Sequence, residues 1–303
     1  MNLRAVNEWD ALHTVVVGTA KSMGGTPLLQ DAYDPKSKEH IRAGTFPVEK
    51  DCMAELDGLA VLLEAHDIRV LRPQVLDDLN QIFARDVGVV IDDRLVATRM
   101  ISDRAAEWQG IAPLLTDVRA AHVLTPPDGV RVEGGDVIPM NGEIWVGHSA
   151  GEDFGAYTTA RTNEAALDWL SDQYTDWRVR GFELTKSDDD PRANALHLDC
   201  CLSVLAGGHA LFHANGFKHE EDRAFIRSQF EGKLLEVDAD QMYDMQCNLI
   251  SITPEDVVSC PTFERVNAQL LDWGYRVYTT PLQETAKMEG LLRCVTLPLF
   301  RQA

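Results

Sequence analysis

RDVGVVIDDRLVAT (85–98) reads as a short apolar hairpin with an acid, Asp86, at its start. Four more stretches have the same form: GGDVIPMNGEIWVG (134–147), LDCCLSVLAGGHALF (198–212), CNLISITPEDVVS (247–259) and CVTLPLF (294–300). They start near 86, 136, 199, 247 and 294, so the unit repeats roughly every 50 residues, with one longer step. A period of that size means one supersecondary unit copied around an axis or along a solenoid. Equivalent positions in such copies converge. Asp86, Glu133 with Asp136, His197 with Asp199, and Cys294 all fall at hairpin starts. A thiol, an imidazole and several carboxylates gathered in this way form a candidate covalent active site.

The second half of the unit repeats as well. LLEAHDIRVLRP (62–73), LLTDVRAAHVLTP (114–126), LSDQYTDWRVRGFELT (170–185), QFEGKLLEVDAD (229–240) and LLDWGYRVYTTP (270–281) each follow a hairpin or precede the next one. In most of them a helix end leads through a polar turn into an alternating strand. The spacing predicts helices over 55–66 and 263–274, with Gly274 as the C-terminal cap. The strand HTVVVGTA (13–20) is left without a hairpin partner and is expected to complete the unit ending at 294–300. Five ββαβ units closed on themselves make a five-bladed α/β propeller, with strands around a central cavity and helices outside. No Pro/Gly/Ser-rich linker divides the chain, so residues 1–303 are expected to form one catalytic domain. Segments 21–50 and 148–162 break the pattern and are expected to be loops or lids. KSDDDPR (186–192) reads as a solvated turn.

Composition limits the partners. The chain has 303 residues, 45% of them hydrophobic, enough for a large core. Its formal net charge of −20 disfavours nucleic acid and anionic membranes, whose phosphates it would repel, and suits a cationic small substrate. There is no apolar run long enough for a membrane span, and MNLRAVNEWD lacks the apolar core of a signal peptide, so a cytoplasmic protein is expected. The six cysteines include no C-x-x-C pair, and reduced thiols are the default.

Each candidate residue also has a plain structural reading. A cysteine alone is more often a buried small apolar residue than a nucleophile, but Cys294 follows Arg293 and opens a repeat hairpin. His197 and Asp199, two apart in a strand, would share one face, where an imidazole moves protons and a carboxylate anchors a cation; a core histidine bonded to a carbonyl is the alternative. In VEGGD (132–136) the paired glycines allow a tight path that brings Glu133 and Asp136 close together, although such motifs are common at turns. Asp86 reads either as a cation-binding carboxylate or as an ordinary strand-start acid with Arg85 as its surface partner. Cys200 and Cys201 would alternate faces of a strand, and Cys247 would line the cavity. Without H-e-x-x-h or paired-cysteine spacing, no metal and no cofactor are expected.

Taken together, these motifs resemble the guanidino-modifying enzymes of the pentein superfamily: arginine deiminase, dimethylarginine dimethylaminohydrolase and the arginine amidinotransferases. NQIFARD (80–86) is similar to the deiminase segment in which an Asn and a following Asp meet substrate, here Asn80 and Asp86. VEGGD is similar to the motif whose Glu supports the catalytic His; HLD (197–199) and GLLRC (290–294) resemble the His and Cys motifs. The resemblance covers nearly the whole chain. It implies Cys294 as nucleophile, His197 as general acid/base, Glu133 as its support, and Asp86 and Asp199 as the guanidinium grip. It also implies Arg104 and Arg161 as anchors for a substrate carboxylate, a small cationic guanidino substrate, and a homodimer. Asp136 joins the substrate-binding set. VEGGD favours the hydrolases, whereas VNEWDALHTVVVG (6–18) resembles the opening of the amidinotransferases. A non-catalytic guanidine binder would be expected to lack the Cys or the His.

Overall fold

The structure is a computed structural model describing all 303 residues. Its strands, in chain order, are β1 (Ala11–Val17), β2 (Arg69–Leu71), β3 (Gly88–Ile91), β4 (Arg94–Ala97), β5 (Val123–Leu124), β6 (Val137–Pro139), β7 (Glu143–His148) and β8 (Arg178–Glu183). They continue with β9 (Leu202–Val204), β10 (Ala210–Phe212), β11 (Leu234–Glu236), β12 (Ile250–Ser251), β13 (Asp256–Ser259), β14 (Arg276–Thr279) and β15 (Thr296–Gln302). These form five sheets of three strands, ordered β15-β1-β2, β3-β4-β5, β6-β7-β8, β9-β10-β11 and β12-β13-β14.

In every sheet an antiparallel pair is followed by a crossover to a third, parallel strand. This is the ββαβ unit of the five-bladed pentein propeller. β1 pairs with the C-terminal β15, Val15 opposite Pro298 and Val17 opposite Thr296, so the first and last strands close the ring as the sequence implied.

Four crossovers are helices, over Glu49–Glu64, Ala165–Gln173, Glu220–Gln229 and Glu264–Asp272. The last ends at Trp273, with Gly274 beyond it in the left-handed region (φ 90°), where an L side chain would be strained. The crossover between β4 and β5 is broken into short turns over Ser102–Leu115, where Pro113 cannot donate its missing N–H to a continuing helix. Apolar faces of sheets and helices meet in several clusters. In one of them Trp145 packs edge-on against Phe182 at 5.4 Å. Each such buried large side chain contributes on the order of 1.5–3 kcal/mol by leaving water. No helix is long and apolar enough to cross a membrane.

Both irregular segments contain a helix. In 21–50, Pro35–Ala43 is a helix capped by Asp34, whose carboxylate accepts from the Ser37 N–H at 2.7 Å. Segment 148–162 carries the short helix Gly151–Ala156. The 186–192 stretch is only partly a solvated turn. Lys186 is buried, and its Nζ donates to the carbonyls of Ala195 and Leu196, both at 2.8 Å, which pins the chain leading into His197.

Candidate functional site

The five hairpin starts meet on the axis. β3, β6 and β9 each follow a tight helical turn and β15 follows a turn over residues 292–295, and the hairpin starts are held to one another. The Arg85 N–H donates to the Cys294 carbonyl at 3.0 Å. Asn248 Nδ2 donates both to Cys294 Sγ and to the Asp199 carbonyl, each at 3.1 Å. The Leu198 N–H donates to Asp136 Oδ1 at 3.0 Å. Gly134 then sits so close to Arg85 that an added Cβ would lie 2.0 Å from the Arg85 carbonyl oxygen. The ring of turns is thereby closed.

The second glycine of VEGGD has a sharper purpose. A Cβ on Gly135 would fall 2.8 Å from Cγ and Nδ1 of His197 and 2.9 Å from Oδ1 of Asp86. Glycine therefore lets the imidazole and the Asp86 carboxylate sit side by side. Gly135→Ala is expected to displace the imidazole and lower kcat by about 100-fold or more, since misplacement of order 1 Å costs that much. Steady-state kinetics beside a circular-dichroism melt measure this; a Gly135→Ala protein of unchanged kcat would refute the packing argument.

His197 is 1% exposed. It is not in a strand: it has extended backbone just before the turn Leu198–Cys201. The reading of His197 and Asp199 on one strand face is therefore corrected, because the chain turns helically between them. For the same reason Cys200 and Cys201 lie in a turn, and both are buried. The imidazole Nε2 lies 2.9 Å from Glu133 Oε2 and Nδ1 lies 3.6 Å from Asp86 Oδ1. Burial disfavours its cationic form, but Asp86, Asp136 and the Glu133 hydrogen bond outweigh it and raise His197 to about 9. Burial also disfavours the Glu133 charge. Even so, Arg161 Nη1 at 3.3 Å, His197, and Arg104 Nη1 at 3.6 Å hold its carboxyl well below the ordinary range. Burial pushes the Asp136 carboxyl up.

Cys294 is 2% exposed, in the turn before β15. Its Sγ lies 3.7 and 3.8 Å from the two Asp199 oxygens. Burial, reinforced by the Asp199 and Asp86 charges, pushes its thiol well above the ordinary value. Asp199 and Asp86 are built alike. Arg293 Nη1 holds Asp199 Oδ2 at 2.7 Å, and Arg104 Nη1 holds Asp86 Oδ2 at 2.7 Å. One oxygen of each is thus fixed by an arginine. Asp86 Oδ1 is buried with no hydrogen-bond partner, and Asp199 Oδ1 meets only sulfur. The two remaining oxygens can take N–H groups of a planar cation.

The other expected residues are placed as follows. Asn80 lies in the wall of a cavity it shares with Tyr33, Asp34 and Phe46 of segment 21–50; its Oδ1 accepts from the Ile82 N–H at 3.0 Å and its Nδ2 lies 3.7 Å from Met288 Sδ. Arg104 and Arg161 lie in the site, but with their guanidinium groups engaged. Arg104 makes a two-pronged pair with Glu107 at 2.7 and 3.0 Å besides its bond to Asp86. Arg161 holds Glu133 and donates to the Tyr33 carbonyl at 2.8 Å. Arg85 is no surface partner of Asp86. It is 2% exposed and faces Glu8 at 3.4 Å, as Arg293 does at 3.0 Å, because the N-terminal Asn7–Asp10 turn brings Glu8 to both guanidinium groups. Cys247 packs in the apolar core, and its neighbour Asn248 occupies the site-facing position.

Asn248, Glu8 and Glu107 were not singled out from the sequence. Asn248 had a signal, since it stands at the fourth hairpin start. Asp86, Glu133 and His197 offer ligand atoms within 4.8 Å of one another, as do His197, Asp199 and Cys200. In the first group both Glu133 oxygens already face Arg161 Nη1, at 3.3 and 3.5 Å; in the second, Arg293 holds Asp199 Oδ2 and leaves Oδ1 to the two thiols.

A cysteine, a histidine on a glutamate and two arginine-fixed aspartates, gathered on the axis of five ββαβ units, belong to the pentein class of guanidino-modifying enzymes. Within it, the chain belongs to the family described as "N,N dimethylarginine dimethylhydrolase, eukaryotic", which matches residues 31–301. It is 28% identical over 247 residues to the uncharacterized protein YkgA of Bacillus subtilis (strain 168), covering 80% of this chain and 78% of that one. Its fold is similar to that of SxtG, an amidinotransferase from Microseira wollei in the saxitoxin biosynthetic pathway (TM-score 0.75, 19% identity, 99% and 98% of the two chains). It is also similar to that of the product-bound N-terminal domain of ArgZ, an arginine dihydrolase from the ornithine-ammonia cycle in cyanobacteria (TM-score 0.78, 17% identity, 96% and 98%).

Proposed function

We propose that the whole chain, 1–303, is one catalytic domain that hydrolyses the guanidino group of arginine or an arginine derivative to a ureido product, through a covalent amidino adduct on Cys294. The observation that carries this is the pair of oxygens that no arginine holds, Asp86 Oδ1 and Asp199 Oδ1, beside the Cys294 thiol and the His197 imidazole.

A guanidinium carbon is a poor electrophile because its charge is delocalised. Two carboxylates fix the cation and present its carbon to sulfur. The resting thiol keeps its proton because Asp199 and Asp86 oppose a second negative charge. An incoming guanidinium offsets both charges, and the thiol proton passes to solvent as the substrate enters. Cys294 Sγ then bonds to the guanidino carbon. His197, already protonated, gives its proton to the departing nitrogen, and the C–N bond breaks to leave an S-amidino cysteine. Neutral His197 takes a proton from water as its oxygen adds to the same carbon. The C–S bond breaks as the hydroxyl proton passes to the departing sulfur, which restores the Cys294 thiol and releases the neutral ureido product. No cofactor enters these steps.

A second reading, transfer of the amidino group to an acceptor amine, is favoured by one feature. Glu8, in the amidinotransferase-like N-terminal segment, enters the axis and pairs with Arg85 and Arg293. Both readings share every step up to the adduct. Mass spectrometry of products from L-arginine, Nω-methylarginines and agmatine, with and without an acceptor amine such as glycine, separates them. The hydrolase reading expects a ureido product without an acceptor. An amidinated acceptor that forms only when amine is present would replace it with transfer.

A further inference from the structure

Asp199 can take a substrate N–H only while one of its oxygens stays open, and the arginine that fixes the other oxygen is itself held from behind. Arg293 Nη1 donates to Asp199 Oδ2 at 2.7 Å, while its Nη2 donates to the Val137 carbonyl at 2.7 Å and to Glu8 Oε1 at 3.0 Å. Glu8 also faces Arg85, whose Nη1 and Nη2 lie 3.4 Å from its Oε1 and Oε2. A third buried guanidinium, Arg301, acts on the same carboxylate and donates to the Asp10 carbonyl at 2.7 Å. Burial disfavours the Glu8 charge, but Arg293, Arg85 and Arg301 outweigh it and lower its carboxyl to about 2.

The chain around Glu8 is fixed on both sides. Asn7 Oδ1 accepts from the Trp9 and Asp10 N–H groups at 3.0 and 2.7 Å, and Asn7 Nδ2 donates to Asn141 Oδ1 at 2.9 Å. Trp9 packs against two of the apolar clusters. Arg85 is equally confined. It is 2% exposed, so its charge cannot turn out to water. Burial and the neighbouring Arg293 disfavour that charge, and the carboxylates that favour it are Glu8 first and Asp199 next. With the Glu8 charge gone, the next carboxylate for Arg85 is Asp199. A protein guanidinium drawn to Asp199 would compete for the oxygen that a substrate guanidinium needs.

We infer that Glu8 is a positioning residue for the guanidino reaction: it holds Arg85 away from Asp199 and steadies Arg293 on Asp199 Oδ2, so that Asp199 Oδ1 stays open to substrate. The inference rests on the guanidino reading above. Glu8 acts on the steps that hydrolysis and transfer share, so either product reports its effect.

The test compares the full wild-type chain with Glu8→Gln and with the double variant Glu8→Gln/Arg85→Met, on L-arginine, Nω-methylarginines and agmatine. Glu8→Gln keeps the shape and removes the charge. It is expected to raise KM about tenfold or more while kcat falls by less than about threefold, the pattern of lost ground-state binding. In a Cys294→Ala background the Kd of the same guanidine, read by calorimetry, should rise by the same factor. Arg85→Met then removes the competing cation, and the double variant is expected to return KM to within about threefold of wild type, because replacing both members of a buried pair is close to neutral. A merely structural Glu8 would be damaged further by the second substitution, not repaired by it. If Glu8→Gln alone does not fold, the charge-balanced double variant carries the comparison: a near-native KM supports the inference and a KM raised about tenfold overturns it. An unchanged KM in Glu8→Gln, or a double variant no better than the single one, would also overturn it and leave guanidino chemistry standing. A wild type that neither binds nor turns over any of these guanidines would remove the inference together with the reading beneath it.

Discussion

Cys294→Ala is expected to lower turnover by at least about four orders of magnitude, the scale seen when a covalent nucleophile is removed. Binding of a guanidinium compound should persist, because Asp86 and Asp199 keep the arginines that fix them. Loss of one sulfur should cost only about 1 kcal/mol, since Asn248 Nδ2 retains the Asp199 carbonyl as partner. The competing nucleophile is Cys200, whose Sγ lies 3.8 Å from Asp199 Oδ1, as close as Cys294 Sγ. Both thiols are buried and both are pushed well up. What separates them is Asn248, which donates to Cys294 Sγ and would stabilise a thiolate there, whereas Cys200 Sγ has the Asp199 carboxylate at 3.8 Å and a His197 ring nitrogen within 4.8 Å but no amide donor. Cys200→Ala should therefore retain most activity. Intact-mass detection of the S-amidino adduct decides the matter. An adduct that survives in Cys294→Ala and vanishes in Cys200→Ala would exchange their roles.

The repeat made the fold legible. Five hairpins at one spacing, each with a chemically active residue at its start, require convergence whatever the details of each blade, and the unpaired N-terminal strand had only the last unit to join. The local conformation of the site was less legible. HLDCC alternates like a strand, yet residues 198–201 turn helically because a turn must bring Asp199 to the axis before β9 departs. Short segments of this kind are decided by tertiary bonds, here Leu198 N–H to Asp136, and no periodicity records them. The helix over 35–43 did have local signals, Asp34-Pro35 at its start and Gly44 after its end, which the turn-rich flanks obscured. The ion pairs were least accessible. That Arg104 meets Asp86 and Glu107, or that Glu8 meets Arg85 and Arg293, depends on contacts up to 285 residues apart.

Glu133→Gln should change stability, rate and pH profile together, because one carboxylate serves three cations. Glu133 is fully buried, with His197 Nε2 at 2.9 Å, Arg161 Nη1 at 3.3 Å and Arg104 Nη1 at 3.6 Å. Glutamine keeps the shape and removes the charge. Arg161 is then left buried beside a neutral amide, and breaking a buried pair on one side costs on the order of 3–5 kcal/mol. His197 loses the partner that orients it, and kcat should fall by roughly 100- to 1,000-fold, the usual contribution of a positioned acid/base. The pH dependence has a definite sign. In the native protein His197 is raised from 6.5 to about 9, so its interactions stabilise the fold fully below pH 6.5, and that part is lost as pH rises to about 9. The proton donor for the leaving nitrogen disappears over the same upper limb, so kcat should decline above about 9. In Glu133→Gln the alkaline limb should move down toward the ordinary histidine range, and the loss of melting temperature between pH 6.5 and 9 should shrink. A general loss of folding would lower the rate at every pH without moving the limb. A limb that stays at its native position would mean that Glu133 does not set the proton affinity of His197, and the imidazole would have to owe its charge to Asp86 and Asp136 alone.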